Sequence, residues 1–375
     1  MAKKSKPSKA KPKSKPAKKS KPAQKTKPAP KAAAKKPAAA PKAAPLPEKR
    51  LRMGLLGCGG IANAHIKSLI QIPEYDVVAY CDVVRANAER FQKEYGKGHG
   101  TVYEDYRVMF EQAKLDAVTI CMPPFAHKDE VMLAAERGIH ILIEKPIALT
   151  NELAGQMAAA VQKAGVKSQV GFHMRFMKGI ERVKELLASK GPAIQYVGRY
   201  FCNSLHSPWW RMKDKSGGQI VEQIIHQFDL CRYLLGKPVQ VFAYTANLAH
   251  RDVENYTVED VSGTLIRFET GALGIITGTN CAIPGKWLAP STLVAKGFTV
   301  DWGGGSGEIT ITDGKELKTE PFETGGSPNL GEHLDLLHAI LKNRATRTPI
   351  GEGAETQKLV IAAYQSAETG KPVDL

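Results

Sequence analysis

Nowhere does the chain hold ~18 consecutive apolar residues, the length a helix needs to cross a bilayer, so no membrane span is expected. It also lacks any Cys-x-x-Cys pair. The six cysteines, at 58, 81, 121, 202, 231 and 281, stand singly and mostly within apolar runs. That argues against a disulfide frame or a cysteine zinc site and reads as reduced core thiols in a cytoplasmic protein. Residues 1–49 contain no aromatic side chain and almost no aliphatic one above alanine. Such a segment cannot bury enough apolar surface to offset chain entropy, so disorder is expected, and its ten prolines favour an extended ensemble. It has neither the continuous apolar stretch of a secretory signal nor the Arg-rich amphipathic pattern of a mitochondrial presequence. Acids are nearly missing there too. The first fifty residues hold 18 Lys and Arg against the single acid Glu48, and the remainder holds 35 against 36. The formal charge of +16 therefore belongs to the tail, and the folded part is close to neutral.

The part that can fold opens on an informative unit. LRMGLLGCGGIANAHIKSLIQ, from Leu51, gives an apolar strand, a glycine turn and a helical pattern. The turn is G-x-G-x-x-A: Gly57, Cys58, Gly59, Gly60, Ile61, Ala62. The first glycine permits the tight turn, the second lets a backbone approach a pyrophosphate, and the small Ala62 lets helix and strand pack closely. The helix start then presents unpaired N–H groups to phosphates. A second strand, 76–81, ends at Asp82, 25 residues after Gly57, where a ribose-binding acid belongs. An acid there favours NAD; Arg85, three residues on, could pair a 2′-phosphate and admit NADP.

Strands and helices then alternate. Residues 85–96 and 101–112 read as helices, 117–122 as a buried strand broken by Pro123-Pro124, and 127–138 as a helix closed by Gly138. GIHILIEKPIALT follows, a core strand that stops at Glu144-Lys145-Pro146; then a helix over 151–165 and a strand at 168–172. This alternation predicts an α/β, doubly wound parallel sheet, with ligands at the carboxyl ends of its strands. Gly57, Asp82, Pro123 and Lys145 all lie at such ends. About 325 residues exceed one hydrophobic core, so the expected division is the tail at 1–49, a dinucleotide-binding domain at 50–171 and a second domain at 172–375, to which the resemblance described next gives the substrate and oligomerisation role.

GLLGCGGIA, TICMPPFAH, EKPIALT and VGFHMRF together resemble the Gfo/Idh/MocA oxidoreductases, which include glucose–fructose oxidoreductase and inositol 2-dehydrogenase. The resemblance covers residues 51–375. It implies that Lys145 touches both nicotinamide and substrate, with Glu144 beside it, and that the Lys145–Pro146 bond is often cis. It implies a second domain built on an open, mostly antiparallel sheet whose exposed face pairs with another subunit as a dimer or tetramer. SGGQIVEQIIHQFDLCRYLLG, 216–236, resembles the family stretch carrying an aspartate and, four residues later, a histidine; here these are Glu222 and His226. Read as one helix, this spacing puts both on one face, with Asp229 one turn further. Glu222 either orients His226, binds a substrate hydroxyl or forms a structural ion pair. Beyond the helix, 239–247, 261–280, 291–302 and 308–320 read as strands, with Glu269-Thr270-Gly271 as a hairpin turn, and the chain closes on a helix.

The function this implies is NAD(P)-dependent oxidation of a secondary alcohol of a sugar, cyclitol or sugar derivative. Lys145 or His226 would serve as acid–base, if burial or a neighbouring cation tunes one toward neutrality. Arg175 would contact substrate or cofactor, while Trp209, Trp210, Arg211 and Asp229 would line the sugar site. His127 either borders the cofactor or caps a helix start. Two alternatives stay open: a redox-assisted glycosidase with tightly held NAD, and a nucleotide-binding protein tethered to DNA or other polyanions by its basic tail. No metal site is expected.

Overall fold

The structure, a computed structural model, describes residues 50–375 other than 204, 206, 283, 284, 304, 305, 314, 325 and 326. The basic tail, 1–49, lies outside the described residues. No helix among the described residues is long and apolar enough to cross a membrane.

The first sheet has six strands: β1 (Leu51–Leu56), β2 (Tyr75–Cys81), β3 (Thr101–Tyr103), β4 (Ala117–Ile120), β5 (His140–Ile143) and β6 (Ser168–Val170). Their order is β3-β2-β1-β4-β5-β6, and every pair is parallel. The order reverses between β1 and β4, which opens a crevice at their carboxyl ends. The connecting helices are α1 (Ala62–Leu69), α2 (Arg85–Glu94), α3 (Tyr106–Gln112), α4 (Glu130–Glu136) and α5 (Asn151–Ala164). Burial of all of β4 and of Ile141–Ile143 in β5 explains their apolar runs, since a parallel strand is covered on both faces.

One segment departs from the sequence reading. Residues 101–112 are not a single helix: Thr101–Tyr103 form the edge strand β3, and α3 starts only at Tyr106. Asp105 marks the boundary, accepting a bond from the Arg107 N–H as N-cap.

The second sheet has nine strands, β7 (Ala193–Phe201), β8 (Pro238–Ala246), β9 (Val261–Phe268), β10 (Leu273–Thr279), β11 (Ser291–Ala295), β12 (Phe298–Gly303), β13 (Ser306–Asp313), β14 (Glu316–Pro321) and β15 (Val373–Asp374). It is antiparallel except for the parallel pair β7–β10. The hairpin between β9 and β10 turns at Gly271, whose φ of +86° suits glycine. Helices α6 (Lys178–Lys190), α7 (Lys213–Ser216), α8 (Ile225–Leu235), α9 (Pro328–Leu341) and α10 (Ile350–Thr369) complete the chain. α9 packs on α1 and α10 packs on α5, so helices from the end of the chain cover the first sheet. One apolar core runs through both sheets.

The 216–236 stretch is also not one regular helix. Ile220–Ile224 form a π-turn, and the α-helix begins at Ile225. The wider turn sits at Glu222 and disturbs the i, i+4 alignment expected from spacing alone.

Candidate active site

The glycine turn is fixed by sterics. Gly57 has φ +86°, and a Cβ there would lie 2.5 Å from the carbonyl oxygen of Cys121, which follows β4, so this backbone leaves room only for glycine. At Gly59 and Gly60 a Cβ would meet nothing within 4 Å; their backbone faces open cleft. Ala62 is fully buried. No side chain caps the start of α1, which leaves that end open to an anion. Asp82 is tied to this turn, since one carboxylate oxygen accepts the Cys58 N–H at 2.8 Å and the other accepts the Val84 N–H at 2.8 Å. Arg85 is held by two carboxylates, Glu89 at 2.8 Å and Glu104 at 3.4 Å. Open space above glycines, an uncapped helix start and an acid at the tip of β2 fit a dinucleotide.

The Glu-Lys-Pro turn follows β5, and its Lys145–Pro146 bond is cis. Glu144 lies buried against His65, whose Nε2 is 2.7 Å from its carboxylate, and Nδ1 of His65 is 3.0 Å from Nε2 of His333. Burial works to raise the Glu144 carboxyl, but the His65 hydrogen bond and nearby positive charge hold it below the usual range. The second Glu144 oxygen accepts the Lys145 N–H at 3.1 Å. A Cβ at residue 171 would come within 2.9 Å of this carboxylate, so Gly171 leaves the space Glu144 fills.

Lys145 reaches across to the π-turn. Its Nζ donates to the Glu222 carbonyl at 2.7 Å and to the Glu222 carboxylate at 3.1 Å. The other Glu222 oxygen accepts the Trp210 indole N–H at 2.6 Å. Glu222 is thus ion-paired with Lys145 rather than hydrogen-bonded to His226. His226 is buried, with its ring 4.3 Å from that of His173 and its edge toward Phe172. Its Nδ1 has no hydrogen-bond partner among the described residues. Burial first, then His173 and Lys145, push its pKa well below the ordinary histidine value, so the imidazole is neutral. His173 is pushed down to about 4, chiefly by burial.

These groups share one cleft of about 840 Å³. Gly59, Gly60, Ile61, Pro123, Glu144 and Lys145 line it from the first sheet, and Trp209, Trp210, Glu222 and His226 from the other side. Other expected residues lie elsewhere. Arg175 and Asp229 do not line the cleft: they form a buried pair at 2.6 and 2.7 Å, and Thr356 also bonds Asp229. His127 is buried on Glu130 at 2.6 Å, near the start of α4, and Arg211 also stands outside the lining. His173, Tyr200 and Trp287 line the cleft and were not singled out from the sequence. His173 follows the last parallel strand, so the rule of strand carboxyl ends could have found it. Tyr200 and Trp287 carry no local signal, because β7 and the loop between β10 and β11 deliver them from the second sheet's side.

Residues 51–172 match the oxidoreductase family with an NAD-binding Rossmann fold, and residues 180–300 match the GFO/IDH/MocA C-terminal domain. The chain belongs to the GFO/IDH/MocA oxidoreductase family. It is an NAD(P)-dependent dehydrogenase. It is 30% identical over 338 residues to scyllo-inositol 2-dehydrogenase (NAD(+)) of Bacillus subtilis, covering 88% of this chain and 97% of that one. It is 26% identical over 356 residues to D-glucoside 3-dehydrogenase of Escherichia coli, covering 87% and 97%. In fold it resembles levoglucosan dehydrogenase in complex with NADH and L-sorbose, with a TM-score of 0.78 at 20% identity over 87% of this chain and 99% of that one.

Proposed function

We propose that this dehydrogenase interconverts a secondary alcohol and a ketone on a sugar, cyclitol or sugar derivative. The observation that carries this reading is a lysine–glutamate pair and a neutral imidazole, that of His226, in the wall of the same cleft as Gly59 and Gly60. When bound, the nicotinamide supplies the hydride acceptor or donor. The neutral imidazole of His226 accepts the hydroxyl proton. The Lys145 ammonium donates a hydrogen bond to the oxygen that becomes negative, and Glu222 orients it. Positioned acid–base groups of this kind contribute about 10²–10⁴ in rate. Trp209 and Trp210 supply aromatic faces for a polyol ring. Asp82 receives ribose hydroxyls, and with Arg85 held by Glu89 and Glu104, NAD is favoured over NADP. The test is an absorbance screen of sugars, inositols and their oxidised forms with both cofactors. Polyol-dependent reduction of NAD supports the reading; turnover of glycosides without net NAD reduction would replace it with redox-assisted hydrolysis.

The enzyme also works as a homo-oligomer, dimer or tetramer, through the open face of the second sheet. Phe242, Leu265, Ile275 and Val197 stand in one cross-strand row there, and Leu265 and Ile275 are exposed. Static light scattering of Leu265→Asp against the parent protein tests this. The tail contacts DNA or other polyanions without sequence preference. Equal DNA binding at low salt by the full chain and a chain starting at Lys49 would exclude that contact. The setting is the cytoplasm, where the unpaired cysteines stay reduced.

A further inference from the structure

The cleft has a neighbour. A second cavity of about 510 Å³ shares four wall residues with it, His173, Tyr200, His226 and Trp287. That volume falls within the ~300–1,000 Å³ of small-molecule sites. Its own lining is different in kind. Met174, Met177, Leu288, Ala289 and Trp302 make it apolar, and no carboxylate stands among its described lining residues. Trp302 is stacked on Phe322 at 4.9 Å, which gives the cavity a rigid floor. Lys286, its one lysine, is exposed at the rim. His226 belongs to both walls, so a ring whose hydroxyl meets His226 stands at the junction. A substituent on that ring, directed past Trp287, enters the second cavity.

We infer that the natural substrate is an O-glycoside, whose reacting sugar lies in the cleft and whose second ring lies in this adjoining cavity. This rests on the dehydrogenase reading above. An apolar chamber with a tryptophan at its floor and another at its entrance suits a second ring, while a free monosaccharide or cyclitol leaves it unused. With no carboxylate to pair it, a cationic aglycone is disfavoured.

The test compares kcat/KM for methyl and phenyl glycosides of the same sugar, in the wild-type enzyme and in Ala289→Phe, which fills the cavity. The inference predicts about tenfold preference for the phenyl glycoside in the wild type, the size of one aromatic contact. It predicts loss of that preference in Ala289→Phe, with the methyl glycoside oxidised as before. The wild-type comparison stands even if the variant does not fold. Equal kcat/KM for the two glycosides, or a preference that survives Ala289→Phe, overturns the inference but leaves the dehydrogenase reading intact. Absence of NAD(P)-linked oxidation of any free or glycosylated polyol overturns both.

Discussion

Nζ of Lys145 lies 2.7 Å from the backbone carbonyl of Glu222 and 3.1 Å from its carboxylate, so a residue on the first sheet is anchored to the π-turn before α8. The contact closes one side of the cleft and fixes where the ammonium points. Glu222→Gln keeps the shape and removes the charge. It should lower kcat by about tenfold while NADH affinity, read by fluorescence titration, stays as in the parent. Weakened NADH binding with unchanged kcat would place Glu222 with the cofactor instead.

The glycine turn predicts a split between neighbours. Gly57→Ala forces a Cβ against the Cys121 carbonyl at positive φ and should cost about 2–4 kcal/mol in unfolding free energy. Gly59→Ala meets no protein atom, so its melting temperature should match the parent. It should nevertheless weaken NAD binding about tenfold or more, because the methyl occupies phosphate space. Calorimetric melting and NAD titration of both variants check this together.

Glu144 is buried and depends on His65. His65→Leu strands that carboxylate and should destabilise the fold by about 3 kcal/mol, measured by urea unfolding. A change below about 0.5 kcal/mol would mean the pair is idle.

Three histidines predict a direction for pH. Burial lowers the pKa of His226 and His333 well below the free value and that of His173 to about 4. The unfolded chain therefore binds more protons below about pH 6.5, and stability falls from there toward pH 4. Thermal melts between pH 7.5 and 4.5 should show the decline, and a flat profile would contradict neutral, buried imidazoles.

Much of this was legible in the sequence where local pattern decides structure. The parallel sheet followed from alternation, and Gly57, Asp82, Pro123 and Lys145 each follow the carboxyl end of a strand within three residues. β3 was missed because three residues are too few for a period-two signal. The π-turn was missed because five residues cannot separate its periodicity from that of an α-helix. Arg175 and Asp229 looked like site residues by charge and position. Their burial depends on Thr356 and the rest of α10, more than a hundred residues later. Glu222 found its partner across 77 residues, and only the tertiary fold could choose Lys145 over His226.

The most direct measurement is single-turnover NAD reduction by Lys145→Met with a polyol substrate of the parent enzyme. The account predicts a rate lowered by about 10²–10⁴ with NAD still bound at parental affinity and the melting temperature kept near that of the parent. A hydride-transfer rate equal to the parent's would contradict it.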